Sequence, residues 1–347
     1  MIRVAALTSG KNVPSARFRV RQHIEPLRKA GIYVREYIPI IDKYAPPRRL
    51  SGCSPIRVLW KGVKVAARSP GLIGSWKAGV TWLEREMHPG CLTFEPFLKR
   101  PYVFDVDDAI WLTPPFGRRA SISIARNAEC ILAGNSYIAE WFGSYAKDVR
   151  IVHTAVDTHR IKPRSHLRFE STDTPFTIGW TGTSSNYPYL YEIEGPLEQF
   201  LKTHDAEFLV MADEPPKFLR LHPNQVRYVK WSPEIEVEVL AQMDVGLMPL
   251  PSIEWSMGKC SFKMLQYMAS GVPVIVSPIG MNADVLSMGQ VGFPAESHAD
   301  WYEALVSFFK DHSLGYKYGA TGRSIVEKFF SRTVISNTLI GIFKDFA

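Results

Sequence analysis

At 347 residues the chain is long enough for two domains of ordinary size, each burying its own core. Apolar residues make up 46% and charged residues 22%, the balance of a soluble globular protein, and no apolar run approaches the roughly 18 residues of a membrane span. The net charge of +7 favours anionic partners, among them nucleic acid, an anionic membrane surface and a phosphorylated substrate. Zinc-finger spacing and matches to the common nucleic-acid modules are missing, so nucleic acid is set aside. The four cysteines, Cys53, Cys91, Cys130 and Cys260, lack metal-ligand spacing and read as reduced thiols of a cytoplasmic protein. The opening Met1-Ile-Arg-Val-Ala-Ala-Leu7 is too short for a signal peptide and reads as a strand.

From that strand the chain turns at Thr8-Ser-Gly10, enters a helix from Val13 that ends near Ala30-Gly31, and forms a second strand over 33–38. This βαβ opening has a small-residue loop at the carboxyl end of its strand, where open α/β sheets take ligands. The G-x-G-x-x-G fingerprint is absent, which argues against a nicotinamide dinucleotide. Arg17, Arg19 and Arg21 alternate, and either face a cleft or are solvated helix charges. Residues 56–68 form a basic amphipathic helix, with Trp76 and Lys77 soon after; it suits an anionic membrane interface or, equally, packing on the first sheet. A strand at 80–83 precedes Glu84-Arg-Glu86, and a strand at Tyr102–Val106 runs into Asp105-Val-Asp-Asp-Ala-Ile-Trp111. Three carboxylates in four residues at a strand end point to a metal, a cation or a hydroxylated substrate, the alternative being a solvated turn.

Further strands are expected at 128–133 and 150–153, with Gly134-Asn-Ser136 capping the helix between them. The polar, proline-containing segment 158–175 reads as a domain linker. A second βαβ series begins at Phe176-Thr-Ile-Gly-Trp-Thr-Gly-Thr183, with strands at 207–211, 226–229, 245–248 and 291–293 and helices at 301–310, 316–330 and 331–346. The central stretch, Trp255 to Pro278, reads as a loop, a helix N-capped by Ser261 and ended by Gly271, and the buried strand Val274-Ile-Val276. Lys259, Lys263 and Gln266 are spaced to share one side of the helix start, and two ammonium groups beside a helix N-terminus make a seat for a diphosphate. The expected architecture is α/β, two doubly wound domains facing across a cleft.

The order of these features resembles the GT-B glycosyltransferases of family 4 (the group 1 glycosyl transferases) over nearly the whole chain. Closest in pattern are members with a D-x-D-D-A-x-W segment, here Asp105 to Trp111. Leu83-Glu-Arg-Glu86, Ala133-Gly-Asn-Ser136, Thr154-Ala-Val-Asp157, Ile178-Gly-Trp-Thr-Gly182 and Gly258-Lys-Cys-Ser-Phe-Lys-Met-Leu-Gln-Tyr-Met-Ala-Ser-Gly-Val-Pro273 also match. The resemblance implies two Rossmann-like domains, 1–160 for the acceptor and 174–330 for the nucleotide, with a helix over 331–347 returning to the first. It implies transfer of a hexosyl group from a nucleotide diphosphate sugar, UDP- or GDP-linked, to a hydroxyl. Anomeric configuration would be retained, and neither a metal nor a further cofactor would be needed. Two positions depart from the pattern. The family's paired glutamates are replaced by Gly258 and Gln266, and its first-domain histidine has its rough counterpart in Asp107.

The expected donor site comprises Lys259, Lys263, Gln266, Ser261 and Cys260, the turns at Gly10 and at Gly182-Thr183, Glu254 in place of the lost glutamate, and Trp231 bordering the base or lying in the core. Lys259, Lys263 and the helix start would stabilise the leaving diphosphate. Asp107, flanked by Asp105 and Asp108, would orient or deprotonate the acceptor hydroxyl, or steady the positive sugar ring. The basic, tryptophan-containing helix suggests a glycan or lipid-linked glycan acceptor of the cell envelope, met in the cytoplasm or on the inner membrane face. The rival readings are an epimerase of the same fold and a non-catalytic glycan- or partner-binding protein.

Overall fold

The structure is a computed structural model that describes residues 1–43, 54–164 and 175–346, with the backbone alone over 54–58. Cys53 and most of the expected linker, 165–174, lie outside the described residues. The chain divides into two compact units. The first is Met1–Ala155 joined by Met257–Cys260 and Arg332–Ala347; the second is Val156–Ser256 with Ser261–Ser331.

The first unit holds strands β1 (Ile2–Leu7), β2 (Ile32–Tyr37), β3 (Val80–Glu84), β4 (Tyr102–Val106), β5 (Cys130–Ala133) and β6 (Val149–Ile151). They form one sheet in the order β2-β1-β3-β4-β5-β6, every pair parallel. Strands β3, β4 and β5 are buried along their whole length, which is why they read as unbroken apolar runs rather than alternating ones. The C-terminal helix Arg332–Asp345 packs on this sheet, its Phe343 ring 5.0 Å from Trp82, with Ile335, Leu339 and Ile342 in the same core.

The second unit repeats the plan with β7 (Phe176–Thr181), β8 (Ala206–Ala212), β9 (Val226–Lys230), β10 (Val245–Met248), β11 (Val274–Val276) and β12 (Gly292–Pro294). Their order is β12-β11-β10-β7-β8-β9, again all parallel. Its core is aromatic, with Trp180, Phe200, Phe208, Trp301 and Phe308 buried together.

Both sheets reverse direction once. The chain adds β2 on one side of β1 and then returns to place β3 on the other; likewise β10 falls on the side of β7 opposite β8. At such a reversal the loops at the carboxyl ends diverge and leave a ligand crevice. Near the two reversal points stand Ser9, Glu84 and Arg85 in the first unit, and Thr181 and Gly182 in the second.

Candidate active site

In the first unit the edge is built from paired charges. Glu84 ends β3 and accepts a 2.8 Å hydrogen bond from the Ser9 backbone N–H, tying the two diverging loops together. Burial raises the Glu84 carboxyl above its ordinary range. The next residue, Arg85, has φ +55°, a left-handed conformation that costs a non-glycine residue about 1 kcal/mol or more. That turn aims its guanidinium at the acidic segment after β4. Nε lies 2.5 Å from Asp107 Oδ1, and Nη2 lies 2.5 Å from Asp108 Oδ2. Lys259 Nζ stands 3.4 Å from the other Asp108 oxygen. Burial alone would push the Asp107 carboxyl up; Arg85, Arg19 and Lys259 outweigh it and hold the group below the ordinary carboxylate range.

Asp105 goes elsewhere. Side chains alternate along a strand, and position 105, inside β4, faces the sheet interior with Val103. Its Oδ1 binds Arg19 at 2.7–2.8 Å and its Oδ2 accepts from Trp82 Nε1 at 3.1 Å, so neither oxygen is offered to a substrate. Burial lifts it to about 6 despite Arg19. The expected catalytic role of Asp105 is thus corrected to that of an internal anchor. The expected cleft or solvent placement of Arg19 is corrected with it.

Besides the Lys259–Asp108 pair, the segment Met257–Cys260 is held in this unit through Asn135, Asp107 and Ala109. Asn135 caps helix Ser136–Gly143 through Oδ1, which accepts from Ile138 N at 2.8 Å. Its Nδ2 donates to the carbonyls of Met257 (3.1 Å) and Lys259 (3.0 Å). The buried Cys260 thiol donates to Asp107 O at 3.2 Å, and burial pushes that thiol's pKa up, so it is a packing group and not a nucleophile. Gly258 lies flat against Ala109: a Cβ there would sit 2.6 Å from the Ala109 nitrogen. This close approach explains why a glutamate cannot occupy position 258.

In the second unit, Lys263 extends from helix Phe262–Ala269 with Nζ 5.6 Å from the centre of the Trp180 ring. Gly182 makes room for it, since a Cβ at 182 would come within 2.7 Å of Lys263 Cε. The backbone N–H groups at the start of this turn are engaged: Thr181 N donates to Tyr267 OH at 2.9 Å and Gly182 N to Met211 O at 3.1 Å. The Thr183 hydroxyl is paired locally with Ser185 and Asn186. Ser261 is not a side-chain cap. Its backbone is left-handed (φ +49°), and its hydroxyl donates to Asn282 Oδ1 at 2.6 Å, supplying a buried amide oxygen with a partner. Gln266 is buried, and its Nε2 donates to Glu236 Oε1 at 3.1 Å. The same oxygen receives Trp231 Nε1 at 3.2 Å, and Arg160 Nη1 binds Glu236 Oε2 at 2.8 Å. Trp231 is 37% exposed, which resolves its two readings against the core. Glu254 is exposed at the start of the short helix Glu254–Met257.

In the first unit, therefore, the structure brings together Asp107, Asp108, Lys259 and Cys260. In the second it brings together Gln266 and Trp231, with Lys263 and Ser261 on or beside the same helix. Gly10 belongs to neither group: its Cα faces the Asp42 carboxylate, which accepts from Lys11 N at 2.8 Å. Sequence reasoning missed Arg85 and Glu236. Arg85 had a signal, lying one residue beyond a strand end inside a segment already singled out. Glu236 had none, since its partners are five, 30 and 76 positions away.

Residues 178–311, most of the second unit, match the family model described as Glycosyl transferases group 1. The two six-stranded parallel sheets and this match together define a GT-B fold. No curated protein matches the chain in sequence. Among solved structures, sucrose-phosphate synthase from Thermosynechococcus elongatus is similar over 99% of both chains, with TM-score 0.73 and 12% identity. Anabaena HepE in complex with UDP and glucose has TM-score 0.71 and 13% identity, covering 99% of this chain and 100% of that one. An Escherichia coli structure described as trehalose-6-phosphate bound with UDP-2-fluoro glucose has TM-score 0.67 and 11% identity over 99% of both chains. At these identities the likeness is one of fold.

Proposed function

We propose that the protein is a retaining family 4 glycosyltransferase that moves a hexosyl group from a UDP- or GDP-sugar to a hydroxyl of a glycan or lipid-linked glycan, without a metal cofactor. The observation that carries this reading is the family match across 178–311, a segment that includes Lys263, Gln266 and Trp231. The UDP and UDP-sugar complexes among its structural neighbours support a nucleotide-sugar donor. In the second unit Lys263 meets the diphosphate, where an ammonium group offsets the charge that develops as the glycosyl–phosphate bond breaks. Lys259, in the first unit, holds its ammonium beside Asp108. In the first unit Asp107 acts on the acceptor hydroxyl. Its lowered pKa makes it a weak base, so it orients the hydroxyl and stabilises positive charge more than it removes a proton.

The test is thermal unfolding against UDP, GDP, ADP, dTDP and their sugars, followed by assay of nucleotide release with EDTA present. A ligand that binds only the folded state raises the midpoint. A shift with one base, and release that depends on added acceptor, support transfer. Release or isomerisation of the sugar without acceptor would make the protein an epimerase of this fold. No shift with any nucleotide would make it a non-catalytic binder.

A peripheral position on an anionic membrane face, and with it a role in envelope glycan synthesis, rests on one surface. No helix among the described residues is long and apolar enough to cross a membrane. Of the expected basic contacts, Lys64 and Arg68 turn inward, Lys64 to Lys43 O at 2.9 Å and Arg68 to the carbonyls of Thr8 and Ser9. The exposed patch lies further on. Trp76 donates to Phe97 O at 3.1 Å, both residues are 63% exposed, Ile73 is 57% exposed, and Lys77 and Arg100 are exposed nearby in the chain. Aromatic side chains beside cations are suited to an anionic lipid interface. Sedimentation with phosphatidylglycerol vesicles but not phosphatidylcholine vesicles, lost in Trp76→Ser/Phe97→Ser, is expected. Equal sedimentation of that variant would remove the contact.

A further inference from the structure

We infer that Glu236 is a positioning residue for nucleoside recognition, holding Trp231 and Gln266 so that one presents a ring to the base and the other an amide carbonyl to the ribose hydroxyls. The inference rests on the nucleotide-sugar reading above and adds a residue which that reading does not contain.

Glu236 opens helix Glu236–Ala241 and is only 3% exposed. A buried carboxylate is costly unless it is paired and hydrogen-bonded. Arg160 supplies the charge on Oε2, leaving Oε1 to gather two neutral donors from separate segments. One is the indole N–H of Trp231, in the loop just after β9; the other is the amide of Gln266, in the middle of helix Phe262–Ala269. Two consequences follow from the donor and acceptor inventory. A carboxylate in a salt bridge offers only acceptors, so the Gln266 NH2 must face it and its Oε1 must point away. Gln266 is thereby committed to present an acceptor, the group that meets a sugar hydroxyl. The indole N–H is likewise used up, so Trp231 offers only its ring, and base–aromatic stacking tolerates any base.

The placement follows the order of a nucleotide's parts. Lys263 precedes Gln266 by three residues, so the two lie on the same helix face about one turn apart. The phosphate cation, the ribose acceptor and the base platform then come from Lys263, Gln266 and Trp231 in turn. Glu236 touches no part of the ligand itself.

The experiment is calorimetric titration of the full-length protein with the nucleoside diphosphate that the base panel identifies and with its 2′-deoxy form. Wild type is expected to bind the ribose form about tenfold more tightly, the worth of roughly one hydrogen bond. Glu236→Gln should weaken the ribose form about tenfold and bring the preference near one, because the amide at 266 is no longer held. Lys263→Ala should weaken both forms and keep the preference. Glu236→Asp keeps the carboxylate and should recover part of the preference that Glu236→Gln loses, whereas a loss that tracked only the unfolding midpoint of each variant would mark a structural role. Gln266→Met keeps the volume and should lose the preference even if Glu236→Gln fails to fold. Undiminished discrimination in Glu236→Gln or Gln266→Met would overturn the inference. So would a wild type that binds both forms equally, leaving the nucleotide-sugar reading intact. A wild type that binds no nucleotide would remove that reading and this inference together.

Discussion

At the end of the first sheet, Asp105, Asp107 and Asp108 stand within four residues, and each is bound by a cation: Arg19, Arg85, and Arg85 with Lys259. In the second unit, Glu236 is the carboxylate of the group; its Oε2 is bound by Arg160, and its Oε1 gathers two neutral donors, Trp231 and Gln266. The two edges share a topology, six parallel strands with one reversal, yet hold opposite kinds of chemistry. One is a cluster of ion pairs; the other is an amide and an indole gathered on one carboxylate oxygen. The same scaffold accepts both because the loops after the strands, not the strands, carry the polar groups.

The comparison predicts that the first unit depends on charge balance far more than the second. Arg85→Ala leaves Asp107 and Asp108 short of a partner in a half-buried setting and should cost about 3–5 kcal/mol in denaturant unfolding. Arg85→Lys should recover only part of this, because an ammonium cannot span both carboxylates as a guanidinium does. A loss under 1 kcal/mol would show that the pairing is incidental. Gly258→Glu should not supply a useful carboxylate. It should instead cost about 1–3 kcal/mol by forcing the loop off Ala109, read as a lowered unfolding midpoint.

A pH test comes next in size. His23 is buried against Ser336 Oγ at 2.8 Å, and burial, with Arg19 and Arg332, lowers its pKa from 6.5 to about 3. The unfolded state then takes up the proton first, so stability falls as pH drops below 6.5. By pH 5 the difference between wild type and His23→Gln should have moved against wild type by about 2 kcal/mol. Parallel unfolding curves at pH 7.5 and 5 would contradict the assignment. The smallest effect belongs to the second unit. Lys263→Ala should raise the nucleotide dissociation constant about tenfold while leaving the unfolding midpoint of the free protein unchanged. A destabilised Lys263→Ala protein would mean that the second edge is also held by its charges.

Parts of this arrangement were legible in the amino-acid order. Val274-Ile-Val276 is a strand and Phe262–Ala269 a helix as expected, because burial on both faces and helical spacing are local properties. Ser261 misled because N-cap residues are recognised by type, whereas this serine is claimed by Asn282, 21 positions on. Asp105 misled for a related reason: three aspartates within four residues look alike in sequence, and only the alternation of β4 and the reach of Arg19 across 86 positions separate them.

What the sequence determined by itself is the repeated alternation of strands and helices in both halves, and the segments where chemistry gathers. These follow from backbone sterics and side-chain burial over a few neighbouring residues. Which carboxylate is offered and which is locked away was decided by tertiary structure alone. So were the exclusion of a side chain at 258 and the orientation of the amide at 266. Each depends on a partner brought within hydrogen-bond or van der Waals distance by folding, and contacts that fall off within a few ångströms leave no trace in local spacing.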